Sequence, residues 1–482
     1  MSKDQIIELK DAEIKARDAR IEVLTHRLAE LERLIFGSKK ERFVLATQDA
    51  SQLNLFEEVV EQAVEADQEQ ITYQRSKPKA HPGRNPLPDH LPVEETTIEP
   101  DNVSADMVKI GEQITETVDY TPASLVKKRI IRPKYAKPDT EELVIADLPD
   151  RAMPKCIAEP GLVAHLINRK FVEHMPFYRQ IAQIKRDYDW QLSSSTVGNW
   201  FAQACELLTP LYNELHKQVL QATYLQVDES PIKVLDSDKP NSSHQGYQWV
   251  YHSPEQRLIL FDYRKGRGRA GPKEMLQNYR GIIQCDGWQV YDKIAKSQPD
   301  IILAGCLAHA RRKFYEAKDA DAARANHALQ VIKEIYLLER KAKETSDRKA
   351  YRDEHIRPLL AGLKSWAEEQ ALVVLPKSVI GKAIGYYLKQ YHKLEAILTD
   401  GRIELDNNMI ENKIRPLALG RKNYLFAGSH QGAQRIAMMY SFFASCKANE
   451  VNPYEWLKST ITNISETKLS ALYTLLPNHT RV

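Results

Sequence analysis

Two aspartates sit where an apolar strand ought to be entering a protein interior. Asp228 follows the β-branched run of "TYLQVDESPIKVLD", and Asp286 ends "GIIQCD" just before Gly287. Burying an ionised carboxylate is costly unless a cation or hydrogen-bond donors compensate it. Two strands of one sheet, each delivering an Asp at a similar height, suit a hard divalent cation held by oxygen ligands. The interval between them leaves room for two strands and a helix. Taken singly, either Asp also reads as a turn or cap residue.

A third acid is expected from a helix packed on those strand ends. The stretch "GRIELDNNMIENKIRPLALGRKNYLFAG", residues 401–428, offers Glu404, Asp406 and Glu411. Asn407, Glu411 and Arg415 follow one another at i, i+4 spacing, and Met409, Ile410, Ile414 and Leu417 supply an apolar stripe. This pattern puts Glu411 mid-helix beside the buried stripe, Asp406 at the N-terminal cap and Glu404 in the approach. Glu411 is therefore the expected third ligand. Three such acids suit a two-metal site, which activates a water or 3′-hydroxyl and stabilises the leaving oxygen of an in-line phosphoryl displacement.

Cations recur beside the acids in sequence. Arg264, Lys265, Arg267 and Arg269 form one group, Arg311, Arg312 and Lys313 a second, and Arg415, Arg421 and Lys422 a third. Together they can neutralise a DNA backbone, although each alone also reads as a solvated face. "CLAHARRKF" puts Cys306, His309 and Lys313 on one helical face. CxxH without a second pair is not a zinc signature, so no zinc is expected there. His309 contacts phosphate, orients a group near the acids, or is a satisfied structural histidine. Trp288 and Tyr291 either stack on an unpaired base or belong to the core.

The elements that must position these residues follow from length and pattern. At 482 residues, 43% hydrophobic and 28% charged, the chain reads as several soluble globular units. A net charge of +3 leaves nucleic-acid binding to local basic patches. Five scattered cysteines, a charged start and no apolar run of bilayer length point to a cytoplasmic protein without a membrane segment.

Within residues 1–45, residues 4–36 carry a heptad with Ile7, Ile14, Ile21, Leu28 and Ile35 at a and Lys10, Arg17, Leu24 and Leu31 at d, so the seam is good only in its second half. That pattern reads as a two-stranded coiled coil and hence a homodimer, or as an amphipathic helix on the protein's own body. Residues 46–95 form an acidic, then proline-rich and basic linker, which reads either as a plain spacer or as one whose Lys77, Lys79 and Arg84 touch phosphates. Residues 96–150 alternate like a small β module. Residues 151–218 have the form of a helix, a turn and a second helix capped by serines 193–195, which reads as a DNA-binding helix-turn-helix or as ordinary helix packing. An α/β core is expected over 219–316, a helical insertion over 317–397, and completion of the core over 398–482.

The segments "QVDESPIKVL", "CLAHARRKF" and "LDNNMIENKIRPLALGRKNYLFAGS", with "LERLIFGSKKERF" and "HPGRNPLPDHLP" ahead of them, resemble the large transposase subunit of the bacterial insertion-sequence sixty-six family, of DDE type. The resemblance covers nearly the whole chain. It implies a ribonuclease-H-like catalytic core whose DDE triad falls on Asp228, Asp286 and Glu411 and binds magnesium, with manganese able to substitute. It further implies a DNA transposase acting on terminal inverted repeats and target DNA at the nucleoid, aided by small accessory proteins of the same element. The expected DNA contacts are Arg84, His309, Arg311, Arg312, Arg415, Arg421, Lys422 and Trp288. The family's small zinc module has two CxxC pairs; the matching places here read "PDNV" and "KPDT", without cysteine. The β module is therefore expected to fold without metal. Two other readings stay open: a transposase-derived DNA-binding regulator that has lost its chemistry, and a metal-dependent nuclease without strand transfer.

Overall fold

The computed structural model describes residues 151–480, apart from Lys155 and residues 236–241, together with Leu125 and two short strands ahead of them. The expected coiled coil, the linker with Arg84 and most of the β module lie outside the described residues. The two short strands, β1 (Lys134–Ala136) and β2 (Leu143–Ile145), pair antiparallel around the "KPDT" stretch.

Three helices lead into the core. Helix α1 (Pro160–Phe171) starts on a proline, which lacks only an N–H that would be unsatisfied there anyway. Helix α2 (Phe177–Tyr188) ends at Asp189 in the left-handed conformation. Helix α3 (Ser194–Leu220) is capped by Ser193, whose hydroxyl accepts the Thr196 N–H at 3.0 Å. Its Val197, Trp200, Ala204, Leu208, Leu211, Leu215 and Val219 recur at helical spacing and are all buried. Much of the α2–α3 pair is thus ordinary core packing.

The sheet then forms from β3 (Tyr224–Leu235), β4 (Ser243–Ser253) and β5 (Leu258–Arg264). Next come α4 (Ala270–Met275), β6 (Gly281–Gln284), α5 (Gln289–Ser297), β7 (Ile301–Ala304) and α6 (Leu307–Glu316). Strand order is β5-β4-β3-β6-β7, with β3, β4 and β5 antiparallel and β3, β6 and β7 parallel. Strand β4 is followed by a tight turn at residues 254–257, where Arg257 has φ 54°, and the chain returns as β5 antiparallel to β4. Gly281 opens β6 at φ 137°, and a Cβ there would meet the Thr223 carbonyl oxygen at 2.3 Å, so only glycine fits.

Successive residues divide between two cores, as pleating requires. Leu225 and Ile283 join the core shared with α1–α3, whereas Tyr224 and Ile282 face a second core. That second core is filled by α6 and a helical block, α7 (Ala322–Glu344), α8 (Arg348–His355), α9 (Arg357–Ala371) and α10 (Val379–Ala396). The chain closes with α11 (Asn408–Tyr424), α12 (His430–Ala448) and α13 (Pro453–Asn463). Helix α12 covers the edge strand: the Ile259 and Phe261 N–H groups donate to Ser445 and Ser441 hydroxyls at 2.9 and 2.7 Å. An otherwise open strand edge is thereby protected.

A buried polar network lies beneath the strand ends. Gln284 Nε2 donates to the Gly305 and Glu404 carbonyls at 2.9 and 2.7 Å, and its Oε1 accepts from Tyr224 and Gln226 at 2.5 and 3.0 Å. Gln226 Nε2 also reaches the Asp406 carbonyl at 3.3 Å, and its Oε1 lies 3.1 Å from His252 Nδ1. Substituting Gln284→Leu should leave two buried carbonyls without this donor and lower unfolding stability by about 2–3 kcal/mol. Urea denaturation of the variant beside wild type checks this.

Candidate active site

Asp228 is the fifth residue of β3 and Asp286 lies two residues past β6. The parallel register pairs Gln226 with Gln284, so each aspartate stands two residues beyond the same rung, at a common height in the sheet. Asp228 was expected at a strand end, but β3 runs on for seven more residues, paired with β4. Between the two acids lie β4, β5 and α4. Asp286 Oδ1 accepts the Trp288 N–H at 3.0 Å, which turns the chain into α5.

Glu411 lies in the first turn of α11 and not mid-helix. Asn407 occupies the cap position, while Asp406, one residue earlier, accepts the Asn408 N–H at 3.1 Å and the Tyr336 hydroxyl at 2.7 Å. The helix therefore starts later than the apolar pattern alone suggests. Helix α11 is fastened to β3 at both ends: Gln226 holds the Asp406 carbonyl, and beyond the helix Ala427 exchanges backbone bonds with Lys233 and Leu235 at 2.8 and 2.9 Å. Glu404 is held by Lys343 at 2.8 Å and Arg348 at 3.2 Å, so it anchors the helical block and stands apart from the other acids. Burial opposes its ionisation, but these two cations hold its pKa below the usual range.

His309 Nε2 lies 4.0 Å from Glu411 Oε1. Burial lowers the imidazole pKa against the upward pull of Glu411 and Asp286, so the ring is neutral at pH 7. Cys306 is the cap residue of α6, with its sulfur accepting the Asn407 N–H at 3.5 Å. The starts of the helices bearing His309 and Glu411 thus meet at one thiol. Asn407 is fully buried, and among the described residues neither atom of its side-chain amide has a hydrogen-bond partner.

The electrostatics are those of a crowded anionic cluster. Asp228 keeps a narrow opening to solvent but is enclosed by protein, and burial raises its pKa to about 8, reinforced by Glu229, Asp286 and Glu411. Oxygen donors so placed have the chemistry of a hard-cation site. Among the described residues, no three of His, Cys, Asp and Glu stand close enough together to hold a metal ion as they are placed. A cleft of about 370 Å³ opens here, lined by Asp286, His309, Arg312, Lys313, Arg267 and Trp288. A second cleft, about 410 Å³, lies away from these acids between α3, β5 and α12; its Arg264 and Arg435 are already paired with Asp262 and Glu206.

The other expected contacts divide. Arg312 lines the cleft, and Lys313 does so while paired with Glu316. Arg421 donates to the Pro231 carbonyl, Arg415 and Lys422 are exposed, and Arg311 is half-buried. Trp288 is stacked on buried Trp249 at 5.4 Å, and Tyr291 is core, so these aromatics do not present free faces for a base. Sequence reasoning overlooked Glu229, whose carboxylate is nearly buried and paired with Arg267 at 2.5 Å. The consecutive acids in "VDES" were the available signal.

Among the described residues, no helix is long and apolar enough to cross a membrane. The family model described as Transposase IS66 family matches residues 155–435 and takes in all three acids. Residues 23–96 match one described as Transposase C of IS166 homeodomain, and residues 441–478 match the IS66 C-terminal element. The chain is similar to the uncharacterized protein y4jD of Sinorhizobium fredii, 32% identical over 478 residues and 93% of each chain. It is also similar to y4hP of the same organism, 30% identical over 493 residues, or 95% of this chain and 88% of the relative. The α2–α3 pair falls inside the first match, whereas the homeodomain match lies ahead of it, where the sequence reads as heptad and linker.

A pKa raised on folding stabilises below the unfolded value, and that contribution is lost as pH rises through the folded value. For Asp228 the window runs from about pH 4 to about pH 8. In cation-free buffer, Asp228→Asn should therefore stabilise the protein more at pH 8 than at pH 5. The gain should grow by up to about 1.4 kcal/mol per pH unit. Thermal melts across that range test this, and a gain independent of pH contradicts it.

Proposed function

Because the chain belongs to the IS66 transposase family, we propose that it is a DNA transposase that cleaves and rejoins strands at the inverted-repeat ends of a mobile element. Asp228, Asp286 and Glu411 are the catalytic acids in this reading. The observation that carries it is that Asp286 and Glu411 act electrostatically on Asp228 from a neighbouring parallel strand and one helix, with Asp286 lining a cleft bordered by Arg267, Arg312 and Lys313. The strand order, three antiparallel strands continued by two parallel ones, supports a ribonuclease-H-like core.

The three acids would hold magnesium, or manganese in its place. When bound, such a cation supplies Lewis-acid charge at a phosphate and lowers the pKa of an attacking water or 3′-hydroxyl. The chain's own residues do the rest. Arg312 and Lys313 neutralise backbone phosphates at the mouth of the cleft. Neutral His309 holds or passes a proton at Nε2 beside Glu411. Arg421, bonded to the Pro231 carbonyl, keeps the far end of α11 against β3.

Residues 23–96 are the proposed reader of the terminal repeats, the heptad joins two copies, and the exposed face at the start of α3 is a further DNA surface. Small proteins of the same element assist, and the protein works in the cytoplasm on nucleoid DNA. Purified protein with duplex DNA from the ends flanking its gene should give magnesium-dependent nicking and strand transfer. Asp228→Ala, Asp286→Ala or Glu411→Ala should each cut the rate by about 10³-fold or more. Unimpaired cleavage by Asp228→Ala sinks the assignment.

A further inference from the structure

The loop between β5 and α4 reads Arg264-Lys265-Gly266-Arg267-Gly268-Arg269, and its cations have different fates. Arg264 is paired with Asp262 at 2.7 Å and Glu274 at 2.8 Å, away from the acids. Lys265 and Arg269 are exposed. Arg267 alone of the four borders the cleft of Asp286 and His309.

Its guanidinium is fixed from two sides. Nε and Nη2 donate to Glu229 Oε1 at 2.8 and 2.5 Å, and the guanidinium carbon stands 4.5 Å from the ring centroid of Trp288. Both supports are themselves anchored. The Glu229 side chain is only 5% exposed and rides on β3 beside Asp228. Trp288 is stacked on buried Trp249 with 19° between the rings, and its N–H is bonded to Asp286. Yet the Arg267 side chain is 50% exposed, and among the described residues its Nη1 has no hydrogen-bond partner. A half-exposed arginine ordinarily samples many rotamers; this one is held over an indole by two hydrogen bonds to Glu229, at the border of the cleft. Such pre-organisation lowers the ordering cost of binding, and the planar fork matches phosphate oxygens. The need is local as well. Carboxylates crowd this border, Asp286 among the cleft's lining and Glu229 beside it, and an anchored cation there offsets their repulsion of a phosphodiester.

We propose that Arg267 grips a backbone phosphate of the DNA strand lying in the cleft, with Glu229 and Trp288 as its positioning residues. This rests on the transposase reading and adds a contact to it. Trp288 then serves DNA through the arginine it carries and not by stacking on a base.

The test is equilibrium binding of a labelled duplex from the DNA flanking the gene to full-length protein, in EDTA, over a series of KCl concentrations. Each phosphate contact contributes about 0.9 to the slope of log K against log salt. Arg267→Ala should weaken binding and reduce that slope by about 1; because it leaves the nearly buried Glu229 carboxylate unpaired, Arg267→Ala/Glu229→Gln is measured beside it and should show the same reduced slope. Arg267→Lys and Glu229→Gln keep the cation, so both should keep the wild-type slope while losing affinity. If Arg267→Ala binds with wild-type affinity and slope, the phosphate grip is wrong while the transposase reading stands. If the wild-type protein itself shows no salt-dependent DNA binding, both fall.

Discussion

The site depends on two side-chain amides buried between the strands that carry the aspartates. Gln226 and Gln284 are opposite one another in parallel register, fully buried, and bonded to each other and to Tyr224. In a low-dielectric interior such a network is costly if half made and specific if complete. Here its outward bonds go to the carbonyls of Gly305, Glu404 and Asp406, the backbone just ahead of α6 and α11. One network thus sets the height of Asp228 and Asp286 and the place where His309 and Glu411 begin their helices. A sheet with apolar residues at 226 and 284 would lose the strands' side-chain donors to the residue 404–406 segment.

The helical block is tied to the same segment from its other side. Arg352 is fully buried, bonded twice to Glu339 and to the carbonyls of Ile397, Asp400 and Ile403. Arg348 and Lys343 hold Glu404. A buried guanidinium with this many acceptors is strongly destabilised by loss of any partner, which makes the contact a register device as much as a stabilising one. The helical block and the start of α11 are therefore joined through the residue 397–404 segment.

Much of this was legible in the sequence where burial and charge collide. Asp228 and Asp286 declared themselves because a carboxylate following an apolar run needs a reason, and Glu411 because a helical stripe brought it beside them. The start of α11 was misplaced because it is decided by the Tyr336 bond to Asp406, a partner 70 residues away that no local pattern reveals. The glutamines looked like polar interruptions of good strands; their purpose is visible only once the two strands are neighbours. Trp288 looked like a free aromatic, since Trp249, its stacking partner, is brought to it by the sheet. The four loop cations looked equivalent, and only tertiary neighbours separate Arg267 from Arg264. The fold class followed from strand and helix texture, while strand order required the long-range pairing of β3 with β6.

The central claim is that the carboxylates from β3, β6 and α11 act as one cation site. Manganese binding to the full-length protein, followed by electron paramagnetic resonance titration, measures this without reference to activity. The wild-type protein should take up manganese saturably, and Asp228→Asn and Glu411→Gln should each lose that uptake while remaining folded. Equal stoichiometry and affinity in the wild type and both variants would contradict a shared site.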